Sequence, residues 1–202
     1  METLVEIPIY LGRILWLALP VVLAGAAHMG VVSADIAPWL KIPLDGGAIF
    51  RGKRVFGNNK TVRGLLAMAL FTALFFQLQS ILYERFEWAR SASFFDYTLP
   101  GRIWSPIAAG AVYGLGYALA ELPNSLVKRR LGIGAGREAT GVLRWIFLVV
   151  DQGDSVLGCL LAILLFWRMP WHVFVSTLAV CTGLHLALNA LLYAARLRRR
   201  PV

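Results

Sequence analysis

Five long apolar stretches run along the chain, at about 9–32, 64–83, 103–120, 145–167 and 172–195, and the segments between them hold nearly all the charge. Crossing about 30 Å of hydrocarbon takes roughly 20 helical residues. The pattern therefore predicts an all-α, polytopic integral membrane protein with about five transmembrane helices. It predicts one membrane-embedded domain over 1–202, with long loops at about 33–63 and 121–144 and a shorter one at about 84–102. No internal repeat or low-complexity segment interrupts it.

Charge orients these spans. The first loop carries six bases (Lys41, Arg51, Lys53, Arg54, Lys60, Arg63), the third five, and the tail four, against one, three and one in the alternate segments. The side richer in Lys and Arg faces the cytoplasm, which puts the N-terminus outside and the C-terminus, with both long loops, inside. Residues 14–25 and the small residues Ala24–Ala27 resemble a signal peptide, but Glu2, Glu6 and a single Arg13 make a poor leading segment, so the first stretch is expected to stay as a span.

Composition agrees. The chain is 58% hydrophobic and 15% charged, where soluble domains average about 45–50% and about 25%. That excludes a disordered tail and a disulfide scaffold, and argues against a soluble enzyme. A net charge of +9 would suggest nucleic acid in a soluble protein. Here the bases follow the spans, so no nucleic acid is expected, and the partners are a lipid bilayer and what reaches its surface. Cys159 and Cys181 lie within spans and have no metal-ligand spacing. Nothing in the pattern sets an oligomeric state.

Acids inside a membrane are expensive and mark function by default. Asp151 and Asp154 fall in the fourth span, three residues apart and so on one helical face. Two close carboxylates repel, and a divalent cation relieves that; Mg²⁺ typically takes one or two carboxylates and completes its shell with phosphate oxygens and water. Neutralisation by loop arginines is the plainer alternative. Glu121, at the end of the third span, is a third acid within reach of the same cytoplasmic pocket, or a helix-end acid pairing with Arg129.

Bases and glycines gather on the same side. Lys128-Arg129-Arg130 follows the third span, and Gly132-Ile133-Gly134-Ala135-Gly136 follows it in turn. Alone, the first is a membrane anchor and the second a flexible amide-rich turn that lacks P-loop spacing. The first loop, with its glycines and interspersed Ile49, Phe50, Val55 and Phe56, is expected to be ordered rather than plain linker. Its end, Gly52-Lys53-Arg54-Val55-Phe56-Gly57-Asn58-Asn59-Lys60-Thr61-Val62-Arg63-Gly64, alternates glycine with cations and polar donors, as polyphosphate binding requires, or as an anchor for the second span would.

Other features read as structure. Gly110 and Gly114 have G-x-x-x-G spacing, with Gly116 beyond, which favours close helix packing. His28, His185 and Asn189 are expected to hydrogen-bond between helices. Arg198–Arg200 read as an anionic-lipid anchor. Trp39, Trp104, Trp145, Trp167 and Trp171 read as an interfacial aromatic belt.

Taken in order, three elements resemble the CDP-archaeol synthase family: Pro43-Leu44-Asp45-Gly46-Gly47 with Gly52-Lys53-Arg54-Val55-Phe56-Gly57 and Lys60-Thr61-x-Arg63-Gly64; Ser125-Leu126-Val127-Lys128-Arg129-Arg130-Leu131-Gly132; and Asp151-Gln152-x-Asp154. The last is also similar to the end of the phosphatidate cytidylyltransferase signature. The resemblance covers about residues 40–165 and implies a five-helix membrane fold. It implies that a membrane lipid phosphate attacks the α-phosphorus of CTP, releasing pyrophosphate and forming a CDP-activated lipid. By that resemblance Asp151, Asp154 and Glu121 hold Mg²⁺, and Lys128 and Arg129 neutralise phosphate. Lys60, Thr61, Arg63 and Ser125 bind nucleotide or lipid phosphate. The site would face the cytoplasm from the cell membrane.

The chain departs from the family pattern in places. Ala120-Glu121 stands where Gly-Asp is usual, which sets the carboxylate one methylene further out. Pro123 is unusual there, Val62 replaces a common aromatic, and the segment Gly136–Val150 is longer and more apolar. Two rival readings are an ion-coupled transporter using Asp151 and Asp154, and a non-catalytic homologue that binds lipid or nucleotide. Asp45-Gly46 begins a CDP-alcohol phosphatidyltransferase signature that Ala48-Ile49 breaks.

Overall fold

The computed structural model describes residues 2–98 and 105–194, of which 2–5 and 188–194 are described by backbone alone. Trp104, Asn189's side chain and the basic tail lie outside that description. The elements in order are α1 (Glu2–Ser33), a 3₁₀ turn (Pro38–Leu40), the strands β1 (Ile49–Phe50) and β2 (Lys53–Arg54), α2 (Val62–Arg85), α3 (Glu87–Ser91), α4 (Pro106–Arg130), α5 (Val142–Ile163) and α6 (Trp171–Ala194). The fold is helical, as the apolar pattern predicts. By length and composition, three stretches among the described residues can cross a membrane: Glu6–Ser33, Val62–Arg85 and Val142–Ile163. α4 is as long but carries Glu121 and the Lys128–Arg130 run.

α4 is the central helix, packed on α2 along one flank and α5 along the other. Glycines make this possible. A Cβ at Gly110 would fall 2.7 Å from Phe76 Cβ and 2.8 Å from Ala73 Cα of α2. One at Gly116 would fall 2.5 Å from the Gly158 carbonyl oxygen of α5. Gly114 meets the backbone of Met68 as closely. The expected close packing is present, and Gly158 completes it from the other helix.

Away from the predicted cytoplasmic side, the segment after α3 folds inward. Phe95 and Tyr97 are buried in a cluster with Phe76, Tyr113 and Phe166, with ring centroids 4.9 to 6.3 Å apart. Tyr97 Oη donates to Gln79 Oε1 at 2.6 Å, and Gln79 Nε2 donates to the Trp16 carbonyl at 2.7 Å, so the Tyr97 hydroxyl and the Gln79 amide are matched. Trp167 packs on Phe95 at 5.5 Å and edges this core instead of joining a belt, whereas Trp39, Trp145 and Trp171 are exposed.

The first loop is ordered, as its apolar residues predict. Its base is closed by a bridge between Pro43 and Thr61, with Leu44 N–H on the Lys60 carbonyl at 2.8 Å and Val62 N–H on that of Ile42 at 2.9 Å. Within it, β1 and β2 pair antiparallel through a two-residue turn, Arg51-Gly52, with φ of 50° and 74°. Positive φ at both central positions matches the right-handed twist of a tight hairpin. Asp45 gathers the loop: it accepts from the amides of Gly47, Phe56 and Gly57 at 3.0, 2.9 and 3.1 Å and from Arg54 Nη2 at 2.6 Å. These donors hold its carboxyl well below the usual carboxylate range, with the Arg54 bond the largest contribution.

One predicted boundary is corrected. The third polar segment does not open at Glu121: α4 runs on through Pro123 to Arg130, and the loop is only Leu131–Gly141. A proline inside a helix removes one backbone bond. Here packing on both flanks holds the helix through it.

Candidate active site

The extension of α4 matters because of spacing. Glu121, Asn124, Ser125 and Lys128 stand at i, i+3, i+4 and i+7, one face of a helix. Across from them, Arg144, Phe147, Leu148, Asp151, Asp154 and Ser155 form the matching face of α5. A cavity of about 510 Å³ opens between the two, lined also by Asn59 and Lys60 at the end of the first loop and by Gly136, Arg137 and Glu138 of the α4–α5 loop. Its lining holds five bases and four acids.

The charges meet in pairs. Lys60 Nζ is bonded to Glu121 Oε2, which joins the first loop to α4. Lys128 Nζ donates to both oxygens of Asp151 at 2.5 Å and lies 5.1 Å from the centroid of the Phe147 ring. Asn124 Nδ2 donates to Asp151 Oδ1 and Asp154 Oδ2, each at 2.7 Å, so one amide spans the two aspartates. Ser155 Oγ lies 3.0 Å from Glu121 Oε1 and 3.1 Å from Asp154 Oδ1. Asn124 Oδ1 is buried without a hydrogen-bond partner among the described residues.

The structure thus brings Lys60, Glu121, Ser125, Lys128, Asp151 and Asp154 together. Arg129 borders the cavity, but its guanidinium is spent on backbone: Nε donates to the Phe56 carbonyl at 3.1 Å and Nη1 to that of Ile133. Arg130 turns away and donates to the carbonyls of Phe50, Lys53 and Arg54, clamping the hairpin to the end of α4. Thr61 and Arg63 stand outside the cluster. Thr61 caps α2, its Oγ1 accepting from Gly64 N–H at 3.2 Å, and Arg63 is buried against Asp35 Oδ1 at 2.8 Å and the Ile36 carbonyl at 3.1 Å. His28 rests against Gly64, where a Cβ would be 3.4 Å from its Nε2.

The composition of the site bears on Mg²⁺. Hard carboxylate oxygens on two facing helices, with an orphaned amide oxygen beside them, are the donors that ion takes. Among the described residues no three acidic, His or Cys side chains are drawn into a ready coordination group. Ammonium ions hold Glu121 and Asp151 instead. Asn59, Asn124, Arg137, Arg144 and Phe147 also line the cavity and were not singled out from the sequence. The helical period from Glu121 to Lys128 was the signal that would have found Asn124.

A model of the CarS-like family, described as CDP-archaeol synthase, matches residues 8–201. The chain belongs to that family. A CDP-archaeol synthase of Methanoregula boonei is 28% identical over 156 residues, covering 74% of this chain and 82% of that protein. One of Aeropyrum pernix is 30% identical over 161 residues, covering 79% of this chain and 78% of that protein. A solved structure of an intramembrane enzyme for archaeal membrane lipids biosynthesis superposes with a TM-score of 0.60 at 28% identity, covering 87% of this chain and 91% of that one. Membership makes this protein a membrane enzyme, a CTP-dependent lipid cytidylyltransferase. It does not favour the transporter or the non-catalytic reading.

Proposed function

We propose that CTP and a lipid phosphate meet in the cavity between α4 and α5, on the cytoplasmic face of the cell membrane, and that the product is a CDP-activated, archaeol-type lipid with pyrophosphate. The observation that carries this is the pairing of two helical faces, one presenting Glu121, Asn124 and Lys128, the other Asp151 and Asp154. The five-span, N-outside arrangement read from the loop charges fits it, since both cavity-lining loops then lie inside.

In the reaction a lipid phosphate oxygen forms a bond to the α-phosphorus of CTP, and the bond from that phosphorus to the bridging oxygen breaks as pyrophosphate leaves. The protein's task is positioning and charge compensation. Lys60 and Lys128 neutralise phosphate oxygens once these reach the cavity, leaving the carboxylates of Glu121 and Asp151. Ser125 lines the cavity as a hydroxyl donor, and the buried Ser155 hydroxyl braces Glu121 and Asp154 from behind. Asn124 fixes the Asp151 and Asp154 side chains relative to each other. Glu121, Asp151, Asp154 and the Asn124 amide oxygen would hold Mg²⁺, which when bound supplies charge neutralisation on the triphosphate and the departing pyrophosphate. Phe147 and Leu148 give the cavity an apolar wall.

Purified protein given CTP, Mg²⁺ and either an isoprenoid-ether glycerol phosphate, phosphatidate or a polyprenyl phosphate is expected to release pyrophosphate and form a CDP-lipid with the ether lipid. Product from phosphatidate alone would move the lipid assignment. No product from any of the three, in folded protein that binds CTP, would overturn the catalytic assignment of the cavity.

A further inference from the structure

The five bases of the cavity are not equally occupied. Lys60 and Lys128 meet carboxylates, Arg129 meets two carbonyls, and Arg144 Nε lies 3.6 Å from Glu138 Oε2. Arg137 borders the same cavity, and among the described residues its guanidinium has no carboxylate or carbonyl partner.

The backbone under Arg137 is firmly placed. α4 ends at Arg130, and the chain turns off it at Gly132, with φ of 82°, where Gly132 N–H bonds the Arg129 carbonyl at 3.2 Å and Ile133 N–H that of Lys128 at 2.9 Å. This is the paired capping pattern that a left-handed glycine permits at a helix end. Arg129 then holds the Ile133 carbonyl from its side chain. Next comes a tight turn, with Arg137 N–H on the Gly134 carbonyl at 3.1 Å. A Cβ at Gly134 would stand 3.1 Å from Arg137 Cδ, so the bare glycine is what lets the arginine stem lie back along the turn. Gly57, with φ of 107°, lets the first loop approach the same segment: a Cβ there would fall 3.1 Å from that of Ala135.

A charged fork held on a fixed turn at the mouth of a cavity, unmatched by an acid among the described residues, is arranged for an anion that arrives from outside. Guanidinium groups pair two oxygens of a phosphate at once and remain charged at all working pH. Resting on the assignment of CTP to this cavity, we propose that Arg137 binds the phosphate chain of the nucleotide at the cavity rim. Position selects the nucleotide over the lipid. Asp154 lies ten residues into α5 from Arg144, ~15 Å along the axis, while Arg137 sits on the loop beyond both helix ends, where the soluble substrate enters.

The test is CTP binding to the purified protein in detergent with Mg²⁺, by calorimetry, alongside steady-state kinetics. Arg137→Gln should weaken CTP binding about tenfold or more, the loss expected for a hydrogen-bonded charge pair. It should raise KM for CTP while leaving KM for the lipid phosphate unchanged. Arg137→Lys should recover part of the loss. Arg51→Gln removes the same charge from the exposed hairpin tip and should bind CTP as the parent does. The proposal is overturned if Arg137→Gln binds CTP as tightly as the parent, if the loss falls on the lipid phosphate alone, or if Arg51→Gln weakens CTP equally. A parent protein that binds no CTP would instead overturn the assignment of nucleotide to the cavity.

Discussion

Lys128, Arg129 and Arg130 are consecutive, and a helical step of about 100° sends them to three different surroundings. Lys128 faces the cavity, Arg129 the seam between the two loops, and Arg130 the hairpin. A run of three bases reads as one feature in the sequence but does two kinds of work, and only Lys128 is free to exchange a carboxylate for a phosphate. Asp151→Asn and Asp154→Asn should each lower turnover by about two orders of magnitude or more, since loss of several kcal/mol of charge stabilisation costs a factor of ten per ~1.4 kcal/mol. Both variants should remain folded in detergent, and wild-type turnover in either would remove that aspartate from the site. Glu121→Asp keeps the carboxylate but shortens a side chain that reaches both Lys60 and Ser155, so turnover should stay within about tenfold; Glu121→Gln, which leaves Lys60 unpaired, should fall further. Residue types drew attention to Lys60, Lys128, Asp151 and Asp154, which the structure gathers around one cavity. Thr61 and Arg63 stand outside that cavity, and a threonine ahead of an apolar helix is also the usual N-cap, the place Thr61 takes. Arg63's partner, Asp35, lies 28 residues away and left no local sign.

At the scale of elements, the long helices were legible from apolar runs, and the α4 wall of the cavity was not, because polar residues within α4 look like the start of a loop. Glu121, Pro123, Asn124 and the three bases all argue for an ending there; packing on α2 and α5 overrides them. The glycine contacts that allow this packing are also its weak point. Gly158→Ala would press a methyl group into Ala120 and the Gly116 backbone. Overpacking of that kind should destabilise by about 1–3 kcal/mol, read as a lower thermal midpoint in detergent. The first loop makes a different prediction. Asp45 and Asp35 both titrate below their ordinary values because of the bases beside them. A depressed carboxylate lends stability that is fully present above its unfolded pKa, about 4, and is lost as pH falls through the folded value. The loop should therefore resist protease from neutral pH down to about 4 and open progressively in stronger acid. Asp45→Asn should be cleaved already at neutral pH; a cleavage profile unchanged by the substitution would show that Asp45 does not hold the loop.

For the molecule as a whole, the paired charges of the cavity say something about assembly. Lys60 with Glu121 and Lys128 with Asp151 neutralise the site from within, across three separate elements of the chain. A zinc finger leaves its ligands uncompensated until the ion arrives, and so folds only with metal. Here the protein's own ammonium groups stand in that place. Exhaustive chelation should abolish turnover yet leave the thermal midpoint within about 2 °C, a shift of no more than about 1 kcal/mol; a large drop in midpoint would mean that an ion holds the helices together. On the assignment proposed above, a divalent ion entering the cavity would evict an ammonium from its carboxylate. The eviction is easiest when a polyanion is there to receive what is displaced. On that assignment metal and nucleotide would each ease the other's entry, the carboxylates passing to one as the ammonium groups pass to the other.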